Sequence, residues 1–172
     1  MILSIIIPTH NSSEFILPCI ESIIENIDFE LFNIIVIDNN SEDNTVKLIN
    51  QKFPNVITSI NRENFGYSYS VNKGVERSNS EFICVLNPDT VICNNIFKIL
   101  ISHLRANKNV GCIGPKIFNV DDTFQFSCRR NFPSPYYFMF KFLMLDRRFP
   151  HSRIFNSYNM GGVSVNQVLH VN

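Results

Sequence analysis

Short apolar runs alternate with polar clusters through the first hundred residues. Ile2 to Ile7 is an apolar run closed by Pro8, the pattern of a strand buried on both faces. Polar Thr9-His10-Asn11-Ser12-Ser13 follows, where Ser12 or Ser13 is placed to cap a helix and Glu14 suits its first turn. Ile16, Ile20, Ile23, Ile24 and Ile27 keep helical spacing, and Pro18 must lie near the helix start. Phe32 to Ile37 reads as a second strand and Val56 to Ile60 as a third, with a helix over Thr45 to Lys52 between them. A short helix from about Ser68 to Ser78 precedes Phe82 to Leu86, a fourth run with the composition of a strand buried on both faces. Asn94 or Asn95 caps a helix through Ile96, Ile99, Leu100 and Leu104. Val110 to Ile113 reads as a short strand, and Asp121-Asp122 as a hairpin turn between Lys116–Val120 and Phe124–Ser127.

Alternating strand and helix imply an α/β fold, a mostly parallel sheet with helices on both faces. Ligands of such sheets bind in the crevice beyond the carboxyl ends of the strands. Thr9–Asn11, Asp38–Asn40, Asn64–Gly66 and Asn87–Asp89 each follow a strand, so they are expected to converge on one edge. In the last of them Pro88 holds its own φ and pushes Asn87 toward an extended conformation, presenting Asp89 from a stiff turn.

Composition narrows the class. The 172 residues suffice for a domain with a substantial core. Fifteen basic residues balance fifteen acidic ones, which lacks the surplus a general nucleic-acid binder needs. The five cysteines include no CxxC pair; Cys84 and Cys112 lie in apolar runs, so reduced, mostly buried thiols and a cytoplasmic location are expected. The first eight residues lack the basic flank of a signal peptide, and no apolar run approaches the roughly 20 residues of a membrane span. From Phe132 to Phe155 the character changes: aromatic residues mix with Arg129, Arg130, Lys141, Arg147, Arg148 and Arg153. Two readings stand, a helix packed on the domain with a basic outer face, or an interfacial helix on anionic lipid.

The chemistry is narrowed by what does not occur. No GxGxxG follows the first strand, and neither GxxxxGK[ST] nor GxSxG is present. His10 stands in the first polar loop, as a ligand contact or as a satisfied loop histidine. Asp38 and Asp89 remain. A carboxylate near a nucleobase accepts its N–H donors, and one at a stiff turn holds a hard cation, which in turn suits a diphosphate.

The sequence resembles the family 2 glycosyltransferases, of GT-A fold, in their rhamnosyltransferase-like branch. The resemblance is carried by Ser4-Ile5-Ile6-Ile7-Pro8-Thr9-His10-Asn11, Ile35-Val36-Ile37-Asp38-Asn39-Asn40-Ser41-Glu42-Asp43, Asn64-Phe65-Gly66, Asn72-Lys73-Gly74 and Leu86-Asn87-Pro88-Asp89-Thr90. Val110-Gly111, Gly114-Pro115-Lys116 and Ser127-Cys128-Arg129-Arg130 extend it, in order, over almost the whole chain. It implies transfer of a sugar, rhamnose in that branch, from a nucleotide-diphosphate donor to a glycan or lipid-linked acceptor in cell-surface polysaccharide synthesis, with inversion. Pro8, Thr9 and Asn11 would line the nucleotide pocket, Asp38 would contact the base with Asn40 beside it, and Asn64, Gly66 and Asn72 would lie along the donor site. Asp89 would be the metal ligand closing the DxD motif, for Mg2+ or Mn2+, with Asn87 where the first Asp usually stands.

The same resemblance implies a donor-binding domain over residues 1–130 and, over 131–172, an aromatic and basic helical extension that opens an acceptor-side region. Family members continue past His170-Val171-Asn172 into an acceptor-binding half that begins with a Val-Asp-Trp-like stretch and supplies the catalytic carboxylate; this chain holds no Trp. The C-terminal part of the fold is thus expected to be missing, and no base is assigned, Asp121 and Asp122 reading as a turn and Asp146 as a helix end. A non-catalytic nucleotide-sugar binder or one part of a split transferase is the rival reading. An open sheet edge, with self-association or a partner chain, is a further expectation, as is peripheral contact with the cytoplasmic membrane face.

Overall fold

The computed structural model describes residues 1–27, 32–125 and 128–163. The chain divides into two compact units, Met1–Val110 and Gly111–Asn172. The division that the resemblance implies, at residue 130, lies twenty residues further along.

In the first unit, strands β1 (Leu3–Thr9), β2 (Phe32–Asp38), β3 (Ile57–Ile60) and β4 (Phe82–Val85) form a parallel sheet in the order β3-β2-β1-β4. Register runs from Leu3 opposite Phe32 to Thr9 opposite Asp38, so β1 and β2 end level with each other. Side chains alternate between the two faces. Leu3, Ile5, Ile7, Ile34 and Val36 join Ile16, Cys19, Ile20 and Ile23 of α1 (Ile16–Asn26), Ile49 of α2 (Thr45–Lys52), and Phe97 and Ile101 of α4 (Ile96–Ala106) in one core. Ile6, Ile35 and Ile37 are also fully buried, on the alternate face, where α3 (Tyr67–Glu76) packs on β1 and β2. Contact there is close: a Cβ on Gly74 would collide with the Ile6 side chain, so glycine is what lets the helix sit down on the strand. Both faces therefore carry helices, as the alternation implies.

Several local expectations change. α1 begins only at Ile16, after a turn in which the Ser12 carbonyl accepts the N–H groups of Phe15 and Ile16. Pro18 falls in its first turn, where a missing N–H costs nothing. β4 is not buried on both faces. It is an edge strand, with Ile83 42% and Val85 40% exposed while Phe82 and Cys84 pack on the core. A run of apolar residues reads the same whether one face or two are covered, because cover depends on which helices arrive.

The thiols also divide. Cys19 is fully buried and Cys84 half-buried, but Cys93 and Cys112 are exposed. Burial pushes both the Cys19 and the Cys84 thiol up to about 11. At about pH 8 a thiol reagent should modify Cys93 and Cys112 within minutes and leave Cys19 and Cys84 untouched until the fold is opened with denaturant. Peptide mapping checks this; rapid labelling of Cys19 in the native protein would contradict the packing described.

The second unit contains α5 (Pro135–Phe142) and α6 (Leu145–Arg148). The expected strand at Val110 to Ile113 does not form. The expected hairpin is reduced to a single antiparallel bridge between Phe118 and Phe124, closed by Asn119 N–H to the Thr123 carbonyl at 2.8 Å. Phe126 and Ser127 lie outside the described residues. Around α5, Phe140 meets Phe155 edge-on at 5.4 Å and Tyr137 lies 6.2 Å from Tyr158.

Candidate functional site at the strand ends

The strand order creates a topological switch. From β1 the chain adds β2 and β3 on one side, then crosses to add β4 on the other. The helices that follow β1 and β4 share one core, and the boundary between these two neighbouring strands is where α/β sheets place a crevice beyond their carboxyl ends. Thr9–Asn11 lies on one side of it and Asn87–Asp89 on the other.

Three of the four polar clusters are bonded to one another. Thr9 Oγ1 donates to Asp38 Oδ1 at 3.0 Å, and the Asn39 N–H donates to the Thr9 carbonyl at 2.8 Å. Asn11 N–H donates to Ser41 Oγ at 2.8 Å, while Asn11 Oδ1 accepts the Glu42 N–H at 2.9 Å. Asn11 and Asn40 have φ of 49° and 59°, left-handed values that Asn tolerates better than most residues. That is the local reason for Asn at both places: each loop turns sharply just past its strand and meets the other. His10 Nδ1 lies 3.0 Å from the Asn39 carbonyl. A carbonyl only accepts, so Nδ1 is the donor of this contact.

Behind this edge is a buried amide chain that sequence reasoning did not single out. Asn61, the first residue past β3, is 2% exposed. Its N–H donates to the Asp38 carbonyl, and its Nδ2 donates to Asn39 Oδ1 at 2.8 Å and to Ser70 Oγ at 3.3 Å. Lys73 Nζ donates to Asn61 Oδ1 at 2.6 Å, which fixes the orientation of that amide. Asn39 Nδ2 then donates to the Gly66 carbonyl at 3.2 Å, tying in the third cluster. A usable signal existed: Asn61 follows its strand as Asp38 closes β2, and it is polar where the apolar run stops.

The expected site residues separate by position. Pro8 and Thr9 are buried in the end of β1. Asn11 and Asn40 are exposed at the edge. Asp38, expected to touch a base, is 0% exposed. Its Oδ1 accepts Thr9 Oγ1 and Ser41 Oγ, and its Oδ2 accepts the Ser41 N–H at 2.8 Å. In this arrangement the carboxylate braces the edge and reaches a ligand only if Ser41 releases it. Asn64 is exposed, its Oδ1 accepting the Gly66 N–H at 3.0 Å, and Gly66 has φ 85°, a backbone setting that favours glycine. Asn72 is exposed midway along α3, about 9 Å down the axis from Gly66 at 1.5 Å per residue. Asn87 and Asp89 are exposed on the turn after β4. That turn is held from α1: Cys19 Sγ donates to the Asn87 carbonyl at 3.7 Å, and Ser22 Oγ accepts the Ile92 N–H at 3.0 Å.

Among the described residues no three His, Cys, Asp or Glu side chains cluster as a ready-made metal cage. The Asp89 carboxylate and the Asn87 amide oxygen are hard oxygen donors. They fit an ion of the Mg2+ type, which is commonly held by one or two carboxylates together with substrate phosphates.

Asp43 secures the outer rim. Burial opposes its charge, but bonds from Thr45 Oγ1 and N–H, and then from Ser13, prevail and hold its carboxyl at about 2, below the ordinary 3.8. A depressed carboxyl stabilises the fold fully above its unfolded value and loses that contribution as pH falls through the folded value. Melting temperature should therefore decline between about pH 4 and pH 2, and Asp43→Asn should shrink this part of the decline. Parallel melting curves for the two proteins across that range would show that these bonds do not contribute.

Comparison with known proteins bears on the family and the fold. The sequence model described as Glycosyl transferase family 2 matches residues 4–165. The minor teichoic acid biosynthesis protein GgaB of Bacillus subtilis is 30% identical over 110 residues, 62% of this chain and 12% of that protein. The poly-beta-1,6-N-acetyl-D-glucosamine synthase of Staphylococcus epidermidis is 27% identical over 124 residues, 68% of this chain and 29% of that one. The chain thus spans under a third of the length of these curated relatives. Among solved structures, residues 1–349 of S. aureus TarS superpose with a TM-score of 0.57 at 21% identity, covering 69% of this chain and 40% of that one. That TarS fragment has also been crystallised with UDP and with UDP-GlcNAc.

Proposed function

The chain belongs to glycosyl transferase family 2, and from that premise we propose that its strand-end crevice receives the nucleotide-diphosphate part of a sugar donor. The observation that carries this is the switch between β1 and β4, with three interlocked polar loops on one side and an exposed carboxylate turn on the other. Binding of UDP and UDP-GlcNAc by the TarS fragment supports the ligand class. The base is received against Thr9–Asn11 and Asp38–Asn40, with Asp38 acting through Thr9 and Ser41. The diphosphate crosses toward Asn87–Asp89, past the Asn64–Gly66 turn and the exposed face of α3 that carries Asn72. Asp89 would hold a divalent ion, Mg2+ or Mn2+, with Asn87 beside it. A bound ion there neutralises charge on the leaving diphosphate.

For the whole protein the proposed reaction is transfer of the sugar, with inversion, to a glycan or lipid-linked acceptor of the cell surface, at the cytoplasmic side of the membrane. The names of GgaB and of the glucosamine-polymer synthase support the polysaccharide class. Rhamnose as the sugar rests on the branch resemblance of the motifs alone. An inverting transfer needs a base to deprotonate the acceptor hydroxyl. Asp121 already accepts the Thr123 hydroxyl and N–H within its own turn, so that role is not given to it.

Calorimetric titration with UDP, dTDP and GDP, each with and without Mn2+, tests the donor reading. One nucleotide should bind, roughly tenfold or more tightly with the metal. Failure of all three to bind in the presence of Mn2+ would reject it.

A further inference from the structure

The second unit leaves one side of a helix bare. At 100° per residue around α5, Phe138, Phe142, Met139, Leu143 and Tyr136 follow one another across a continuous arc of about 160°. All five are exposed, Phe138 at 65% and Phe142 at 85%. Tyr137 and Phe140 point the other way, into their ring contacts with Tyr158 and Phe155. The helix is therefore anchored by one side and presents only apolar and aromatic groups on the other.

The charge along this part of the chain is predominantly positive. Residues 129–153 hold six Lys or Arg against one Asp, within a chain whose fifteen basic and fifteen acidic residues cancel. Lys141 borders the arc beside Phe138 on the helix circumference. Arg147 and Arg148 are exposed on α6, one turn beyond its end. None of these three side chains forms an ion pair among the described residues. No helix there is long and apolar enough to cross a membrane.

We propose that the exposed arc of α5 lies in the headgroup boundary of an anionic lipid surface, with Lys141, Arg147 and Arg148 on its phosphates. A buried apolar face and a basic border are the two terms on which interfacial helices bind. Each basic group near an anionic surface multiplies partition by about fivefold, and aromatic side chains suit the boundary. The proposal is independent of the donor-site reading, since it uses residues of the second unit alone.

Flotation of the full chain with vesicles tests it. Recovery is expected with phosphatidylcholine containing phosphatidylglycerol, and little with phosphatidylcholine alone. Salt at about 1 M, where the Debye length is about 3 Å, should release the protein. Phe138→Ser with Phe142→Ser, and separately Arg147→Gln with Arg148→Gln, should each lower recovery by roughly tenfold or more. Circular dichroism melting accompanies each variant; if one pair melts early, the other pair and the salt release decide. Equal recovery on neutral and anionic vesicles, no recovery on either, or unchanged recovery of well-folded variants would overturn the proposal. So would sedimentation showing self-association without vesicles that Phe138→Ser with Phe142→Ser abolishes, because a second copy would then cover the arc.

Discussion

Replacing Asp38 by Ala is expected to lower the melting temperature by about 10 °C, because the change costs about 3 kcal/mol. The estimate follows from what the carboxylate accepts. Thr9 Oγ1, Ser41 Oγ and the Ser41 N–H all point at its two oxygens, and Thr9 is 2% exposed. Removing the acceptor leaves these donors facing a hole that they cannot leave without unpicking the register at Thr9 and Asp38. A buried donor without a partner costs roughly 1 to 3 kcal/mol. Asp38→Asn keeps the shape and one acceptor oxygen, but sets an amide donor against another donor, so about half the loss should remain. Nucleotide affinity should fall with stability in both variants, since the loops that wall the crevice hang on this residue. Thermal melting and nucleotide titration together separate two roles. A melting temperature unchanged in Asp38→Ala, with affinity lost, would make Asp38 a direct ligand contact and not a brace.

The second large effect concerns Asp89. Its replacement by Ala should abolish the metal-dependent part of donor binding, roughly tenfold or more in affinity with Mn2+, while leaving metal-free binding within about twofold. The carboxylate is exposed and, among the described residues, makes no side-chain bond that holds the fold, so stability should hardly move. Asp89→Asn should behave like Ala, because an amide oxygen carries no charge for the ion. Asn87→Asp should tighten metal dependence by adding a second carboxylate on the same turn. Titration of the three proteins with and without Mn2+ reads all of this. Equal affinities for the native protein and Asp89→Ala in Mn2+ would remove the ion from this turn.

Much of the fold was legible before any coordinates. Runs such as Ile2–Ile7 and Phe32–Ile37, each closed by a polar cluster, specify strands because a segment that short, mostly apolar and rich in β-branched residues suits a sheet covered on both faces. Helical spacing through Ile16, Ile20 and Ile23 specifies the helix that covers them. Parallel pairing followed from the alternation, and with it the edge on which the polar clusters meet. Asn at positions 11 and 40 was a local signal too, since the left-handed turns there favour that side chain.

Other features depended on which parts meet. The brace role of Asp38 is set by Thr9 at the end of β1 and by Ser41 in the loop after β2, 29 and 3 residues away. The Lys73–Asn61–Asn39 chain joins a helix to the ends of two strands, and no spacing in the sequence encodes it. The exposure of Ile83 and Val85 depends on the cover given to β4, since hydrophobicity drives a residue inward only when another surface is there to meet it. Residue order thus determined the periodicities, the strand ends and the candidate chemistry, because these rest on steric and solvation preferences of neighbours in the chain. Tertiary structure alone decided which polar groups are spent on each other and which remain for a ligand, because a buried donor binds whatever acceptor the packing brings within 3 Å or so.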